Sequence, residues 1–274
     1  MKTMMSRGCF AVISFYVGLA GLVGHVAAET VVGSGQVYTA TKTVKLSGAF
    51  SGIVIGADGI HVNAEDAIVD CGSVASSIGV RLNAHSRVHV SGGIVQNCTI
   101  GVLMGNPLVG GAAGSKNHVN GMTIRDLVFA GSTHFNGVGV ATNNGSDNRV
   151  NGNTFRNLCA GIVIFSGSGS DAVANDVQTS RSDCPGQGVV IQDSNDNSVH
   201  DNSVTTVHGQ GIVIATPPGP SLSTGNFITG NTATGNLLDL WDITSDCTLN
   251  TWRGNVFVTD GGAESDGPGV GCIQ

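Results

Sequence analysis

The sequence predicts an all-β chain wound as one parallel solenoid of about seven to eight coils with capped ends. Three observations carry this. First, one short phrase returns as Gly79-Val80-Arg81-Leu82, Gly101-Val102-Leu103-Met104, Gly137-Val138-Gly139-Val140, Gly161-Ile162-Val163-Ile164, Gly188-Val189-Val190-Ile191 and Gly211-Ile212-Val213-Ile214, with a late version at Leu237-Leu238-Asp239-Leu240. Gly79 to Gly211 takes five steps at a mean of about 26 residues, and a fixed period in this range marks stacked repeats. Second, the cysteines pair at the same period: Cys71 and Cys98 are 27 apart, Cys159 and Cys184 are 25 apart, and so are Cys247 and Cys272. Equivalent residues of stacked coils lie ~4.8 Å apart, within the ~4.4–6.8 Å Cα separation of a disulfide. Three coil-to-coil disulfides follow, Cys71–Cys98, Cys159–Cys184 and Cys247–Cys272, in an oxidising compartment. Third, no helical pattern separates successive strands, so βαβ units are excluded. Strands running the same way with only turns between them must wind into a parallel β-helix, with continuous rows of Val, Ile and Leu inside.

The elements follow in order. Lys2 and Arg7, the apolar run Phe10 to Val23 and the small residues Val26-Ala27-Ala28 read as a signal peptide over residues 1–28, cleaved after Ala28. The run is glycine-broken and short for a span of ~20 residues. Residues 29–50 form a lead-in and cap, with Val44-Lys45-Leu46 as a capping strand. Coils occupy residues 51–257, each holding about three short strands, as in Val80 to Leu82, Val88 to Val90 and Ile94-Val95. Asparagine recurs at turn ends, at Asn153, Asn202, Asn231 and Asn255, with the coil near Asn175-Asp176 departing from the row. Stacked amides can bridge along the axis, so the row is structural. Insertions at Asn106 to Lys116 and Gln178 to Gln187, and the stiff Pro217-Pro218-Gly219-Pro220, sit where a solenoid carries its binding loops. Residues 258–274 form a tail that caps the open end.

Composition narrows the function. The chain carries −7, and loss of Lys2 and Arg7 with the signal leaves −9. An acidic, charge-poor chain without a basic cluster argues against nucleic acid. No later segment is apolar for long enough to cross a bilayer. The 42 glycines belong at turns and the abundant Val and Ile in strands, so this is not a disordered composition.

The phrase and the Asn row resemble right-handed parallel β-helix proteins of the pectin-lyase-like superfamily. Within it, the Asp-x-Asn-x-Val-x-x-Asn turns and Gly-Ile-x-Ile strands are similar to NosD-type periplasmic repeats, as is the ending Cys247-x4-Trp252-Arg253-Gly254-Asn255 with Cys272-Ile273. The resemblance covers about residues 50–274. It implies a secreted or periplasmic β-helix, in a superfamily of polysaccharide lyases, hydrolases, epimerases, binding proteins and NosD-like copper-pathway proteins. The fold does not choose among these.

Three readings of function stand. In the first, the protein binds an extracellular polysaccharide and, as a lyase or glycoside hydrolase, cleaves it, along a groove lined by Asp193, Asp239, Trp241 and Asp242. Asp193 and Asp242, in one row with Thr216 between them, would stand ~9.6 Å apart, a spacing suited to an inverting pair. Trp241 would stack on a sugar. Turn aspartates capping backbone amides are the competing reading, and a pectate-type lyase would also need Ca²⁺ and a basic residue. In the second, non-enzymatic reading, His61, His89 and His118 form an outward column, continued by Arg149, that binds Cu²⁺, Zn²⁺ or a partner. A column spreads its members, so two adjacent histidines at most would share a metal. In the third, an outward apolar strip at Leu103, Val163, Val190 and Val213 seats a protein partner or a second copy.

Overall fold

The computed structural model describes residues 28–105, 113–129, 136–184, 186–206, 208–215, 222–244, 248–262 and 272–273. Residues 1–27, Cys247, Pro185, Thr216, Pro217 to Pro220 and much of the 106–116 insertion and the tail lie outside this set, and with them the signal peptide.

Every described sheet pairing is parallel, and each coil contributes up to three short strands. Val138–Asn143, Arg149–Asn151 and Thr154–Arg156 make up one coil. First strands stack on first strands, second on second and third on third. The result is a right-handed parallel β-helix with three faces. The first face holds ten strands, from Val37–Ala40 to Asp260–Gly262. The second and third are joined through the long strand His61–Asp70, which pairs with both His89–Ser91 and Ile94–Gln96.

The interior is a set of aligned rows. Val80, Val102, Val140, Ile162, Val189, Ile212 and Leu240 stack on the first face, and all are fully buried. Val90, Val119, Val150, Ala172, Val199, Ile228 and Trp252 line the second face. Val95, Ile124, Phe155, Val177, Val204 and Ala233 line the third. β-branched side chains dominate because they pack well on a pleated surface with little rotamer freedom to lose.

Two asparagine rows hold the corners. One runs Asn153, Asn175, Asn202, Asn231, Asn255, each backbone N–H donating to the Oδ1 of the next at 2.9–3.0 Å. Asn175 belongs to this row, contrary to the departure expected there. The gap from Asn153 to Asn175 is only 22 residues, against 27 and 29 for the next two, because the turns in that coil are short. The second row was not expected: Asn117, Asn148, Ser170, Asn197, Asn226 and Asn250 are linked in the same way. Both rows satisfy backbone donors that the chain buries as it rounds a corner.

Cys71–Cys98 and Cys159–Cys184 form as expected, with Cα separations of 4.9 and 5.7 Å. Cys272 is disulfide-bonded; Cys247, its expected partner, lies outside the described residues. Parallel pairing also takes in residues on either side of 51–257. Val37–Ala40 already pairs with Gly52–Ile55, and Asp260–Gly262 still pairs with Leu238–Asp242.

Candidate functional site

The expected acidic groove is not assembled. Asp242 aligns with Ile214, itself aligned with Ile191, so it occupies an inward position and is only 4% exposed. Its carboxylate accepts the Trp252 indole N–H at 2.8 Å, the Thr244 backbone N–H at 3.0 Å and the Thr244 hydroxyl at 2.6 Å. Asp239 is 1% exposed and accepts from the Asn236 amide and the backbone N–H groups of Val258 and Thr259. Burial alone would raise its pKa; the Asn236 and backbone donors together hold it below the ordinary carboxylate value. Asp193 sits at a left-handed turn, φ 52°, in the row of Asn144 and Ser166, and accepts the Ser166 hydroxyl. Asp tolerates that backbone because its short polar side chain bonds locally. Trp241 takes the place of Val213 on the outward column, half-buried. The four residues therefore do not meet in one groove, and the Asp193–Asp242 pair is separated by facing.

The apolar strip is also not a free surface. Leu103, Val163, Val190 and Val213 point away from the main core, yet Leu103 is 0% exposed and the others are buried within the chain itself. With Ile100, Val138, Ala141 and Ala160, the first three form a second apolar cluster. A docking role for these residues is corrected accordingly.

The histidine column forms as the period predicts. His61, His89 and His118 are paired in register and Arg149 continues the row. Their rings stack at 4.4 and 4.6 Å, within 7° and 8° of parallel. Nε2 of His61 meets the Ser91 hydroxyl at 3.0 Å and Nε2 of His89 meets Asn120 Oδ1 at 2.5 Å, while the buried Nε2 of His118 has no partner. Burial, then the charge of His89, lowers the pKa of His61 and of His118, with Arg149 adding to the shift at His118 and Asp171 opposing it. Both shifts disfavour the charged form of these two rings. Parallel rings aim their lone pairs along parallel lines, so the three do not converge on a point. No group of three His, Cys, Asp or Glu among the described residues is placed to hold a metal ion, whether a transition metal or Ca²⁺.

A cleft that the sequence reading did not single out lies on the third face. Its volume is about 420 Å³, and Arg156, Asn157, Gln178, Thr179, Ser180 and Thr205 line it. Stacking of the third strands aligns Arg156, Gln178 and Thr205 on one outward column. Asn157 follows Arg156 at a left-handed turn, φ 52°. Ser180 opens the loop expected to carry binding, and Cys184 fastens that loop to Cys159. Arg181 reaches back to the Leu127 carbonyl and pairs with Asp183. Arg156 is held by Asp176 and by two backbone carbonyls. The Gln178 side chain is exposed and makes no hydrogen bond among the described residues, and the hydroxyl of Thr179, a residue only 2% exposed, is also without a partner. The signal was present in the sequence as the outward residue of each third strand, Gln96, Arg125, Arg156, Gln178 and Thr205, which no short motif flags.

The NosD family model, described as periplasmic copper-binding protein, matches residues 102–261, more than half of the chain. No curated protein matches the chain. Among solved structures, XylC in complex with xylose is similar at a TM-score of 0.50 and 11% identity, over 85% of this chain and 38% of that one. A mutant tailspike protein of E. coli bacteriophage HK620 in complex with a pentasaccharide is similar at 0.49 and 15% identity, over 86% of this chain and 55% of that one. The chain spans about half the length of the tailspike chains it matches. At such identities the likeness is one of fold. No helix among the described residues is long and apolar enough to cross a membrane.

Proposed function

Because the chain belongs to the NosD family, we propose that it is a periplasmic β-helix whose third-face cleft binds a hydroxyl-rich glycan. One observation carries this reading: the cleft is lined by amide, hydroxyl and guanidinium groups, and two exposed ones, the Gln178 amide and the Ser180 hydroxyl, have no partner within the described chain. Sugar hydroxyls both donate and accept, and an amide beside a hydroxyl can answer both roles. A groove on rigid stacked strands also loses little freedom on binding. The reading is of binding, since Asp239 and Asp242 are committed to hydrogen bonds inside the chain and Asp193 and Asp242 do not face each other as a hydrolytic pair would. Glycan-array binding by the mature chain tests it. Gln178→Ala and Ser180→Ala together are expected to weaken the recognised neutral oligosaccharide roughly tenfold or more, the scale of one or two lost hydrogen bonds. Binding unchanged in the double variant sinks the reading.

The family description brings copper. The residues described here do not fit a copper centre of three ligands: the histidine rings are parallel, Cys71, Cys98, Cys159 and Cys184 are in disulfides, and Met104 and Met122 are buried in the core. No step of the glycan reading runs through a metal. A second reading keeps to one adjacent histidine pair, favoured by the buried, partnerless Nε2 of His118 and by the lowered pKa values of His61 and His118, which favour a free lone pair for a cation such as Cu²⁺ or Zn²⁺. His89 belongs to both pairs, so equilibrium dialysis with Cu²⁺ and Zn²⁺ should lose its bound ion in His89→Ala; equal uptake by the variant removes this reading.

A further inference from the structure

The outward column of the first face runs Val54, Arg81, Leu103, Ala141, Val163, Val190, Val213. From Leu103 onward it is buried. At Arg81 it opens into a separate cleft of about 310 Å³. Val37, Val54 and Ile78 give this cleft an apolar wall, and Ser51 and Ser76 stand beside it. Neither serine uses its hydroxyl within the described chain, in contrast to neighbouring Ser77, which donates to the Val74 carbonyl.

Arg81 combines partial burial with the lack of a partner. Arg87, Arg125, Arg149, Arg156 and Arg181 each stand against a carboxylate, and Arg253, which also has no side-chain partner among the described residues, is exposed. Arg81 makes no hydrogen bond or ion pair among the described residues, and it is only half-exposed. A guanidinium is a planar fork of donors matched to a carboxylate, and a partly desolvated one gains most from meeting an anion. The net charge of the whole chain is negative, so no long-range field draws anions here. Selection must therefore come from the cleft itself.

We propose that this cleft binds a carboxylate carried on a sugar-sized ring, with Arg81 as the bidentate donor, Ser51 and Ser76 reaching ring hydroxyls, and the wall of Val37, Val54 and Ile78 meeting the C–H face. The site is on a different face from the glycan cleft and does not depend on it. A free small carboxylate and an acidic sugar unit share this chemistry, and the experiment separates them.

Amide NMR titration of the mature chain with D-galacturonate, D-galactose and acetate is the test. Galacturonate should shift the amides of Ser51, Ser77 and Ile78, and galactose should not. Arg81→Gln should weaken the response roughly tenfold or more, Arg81→Lys less, because lysine keeps the charge and loses the fork, and Gln178→Ala should leave it unchanged. Spectra that match the parent outside the cleft show that each variant is folded. Galacturonate exceeding acetate assigns the site to acidic sugars; acetate equal to galacturonate assigns it to free carboxylates; both sustain the proposal. No response to either acid, an equal response to galactose, or full retention in Arg81→Gln overturns it.

Discussion

Asp242 and Trp252 meet where the stack ends. The column Ile164, Ile191, Ile214 is apolar and then closes on a carboxylate. That carboxylate takes the indole N–H of Trp252, two donors of Thr244 and, at 3.4 Å, the amide of Asn250, the last member of an asparagine row. A buried acid with this many donors serves as a terminus for polar groups that no further coil will satisfy. Asp242→Ala should cost about 2–4 kcal/mol, since several buried donors lose their acceptor together. Denaturant unfolding measures it, and a loss under about half a kcal/mol, the level of an ordinary surface change, would show that the acid is not structural. The same residue shows where the sequence ran out. The repeated phrase aligns Leu237-Leu238-Asp239-Leu240 with Gly211-Ile212-Val213-Ile214, whereas Leu240 pairs with Ile212. A slip of one residue would have turned every side chain to the wrong face, but a slip of two preserves facing and is invisible to alternation. Asp239 and Trp241 each moved by one such step, and Asp242 moved inside.

The histidine column is an element in its own right, and it ties coil stacking to pH. His61, His89 and His118 stack face to face, with Arg149, Asp171 and His200 continuing the polar face; His200 Nε2 stands 3.1 Å and Arg149 Nε 3.3 Å from the Asp171 carboxylate. The folded pKa values of His61 and His118 lie below 6.5, first through burial and then through their like-charged neighbours. The unfolded chain therefore takes up protons first. The contribution is whole above the unfolded value and is lost as pH falls from there toward the folded pKa. Asp239 adds loss in the same direction at lower pH, its folded pKa lying under 3.8. The melting temperature should stay level from about pH 8.5 to 7 and fall between about 7 and 5, with a shallower fall in His118→Gln. A rise on acidification over that window contradicts the assignment. This element was legible because three strands carry His before Val at steps of 28 and 29 residues. The asparagine row through Asn117 and Asn226 was not, since its members precede strands of differing sequence and one position is Ser170. The third-face cleft escaped for the related reason that its side chains are brought together only by the axial stack.

At the scale of the whole molecule, strand pairing joins each coil to the coils on either side, the two described disulfides join neighbours rather than distant parts, and the Arg181 bond to the Leu127 carbonyl reaches one coil further. Stability is then a chain of nearest-neighbour terms, and a defect should stay near its origin. Gly188 offers the cleanest test. A Cβ there would lie 2.1 Å from Val204 Cγ1 and 2.4 Å from the Gly211 carbonyl oxygen, so relief requires moving the next coil as well as a side chain. Gly139 and Gly161 keep the same clearance for Phe155 and Val177, which is why the phrase returns with glycine. Overpacking of this kind costs about 1–3 kcal/mol. Native-state hydrogen exchange on Gly188→Ala should show lost protection in Gln187–Gln192, Ser203–Thr206 and Gln210–Ala215, while His61–Asp70 and Ile100–Gly105 keep the protection of the parent chain. Uniform loss, reaching His61–Asp70 in equal measure, would mean that the coils unfold as one unit. Local loss would mean instead that a binding face can loosen without the opposite end of the solenoid following.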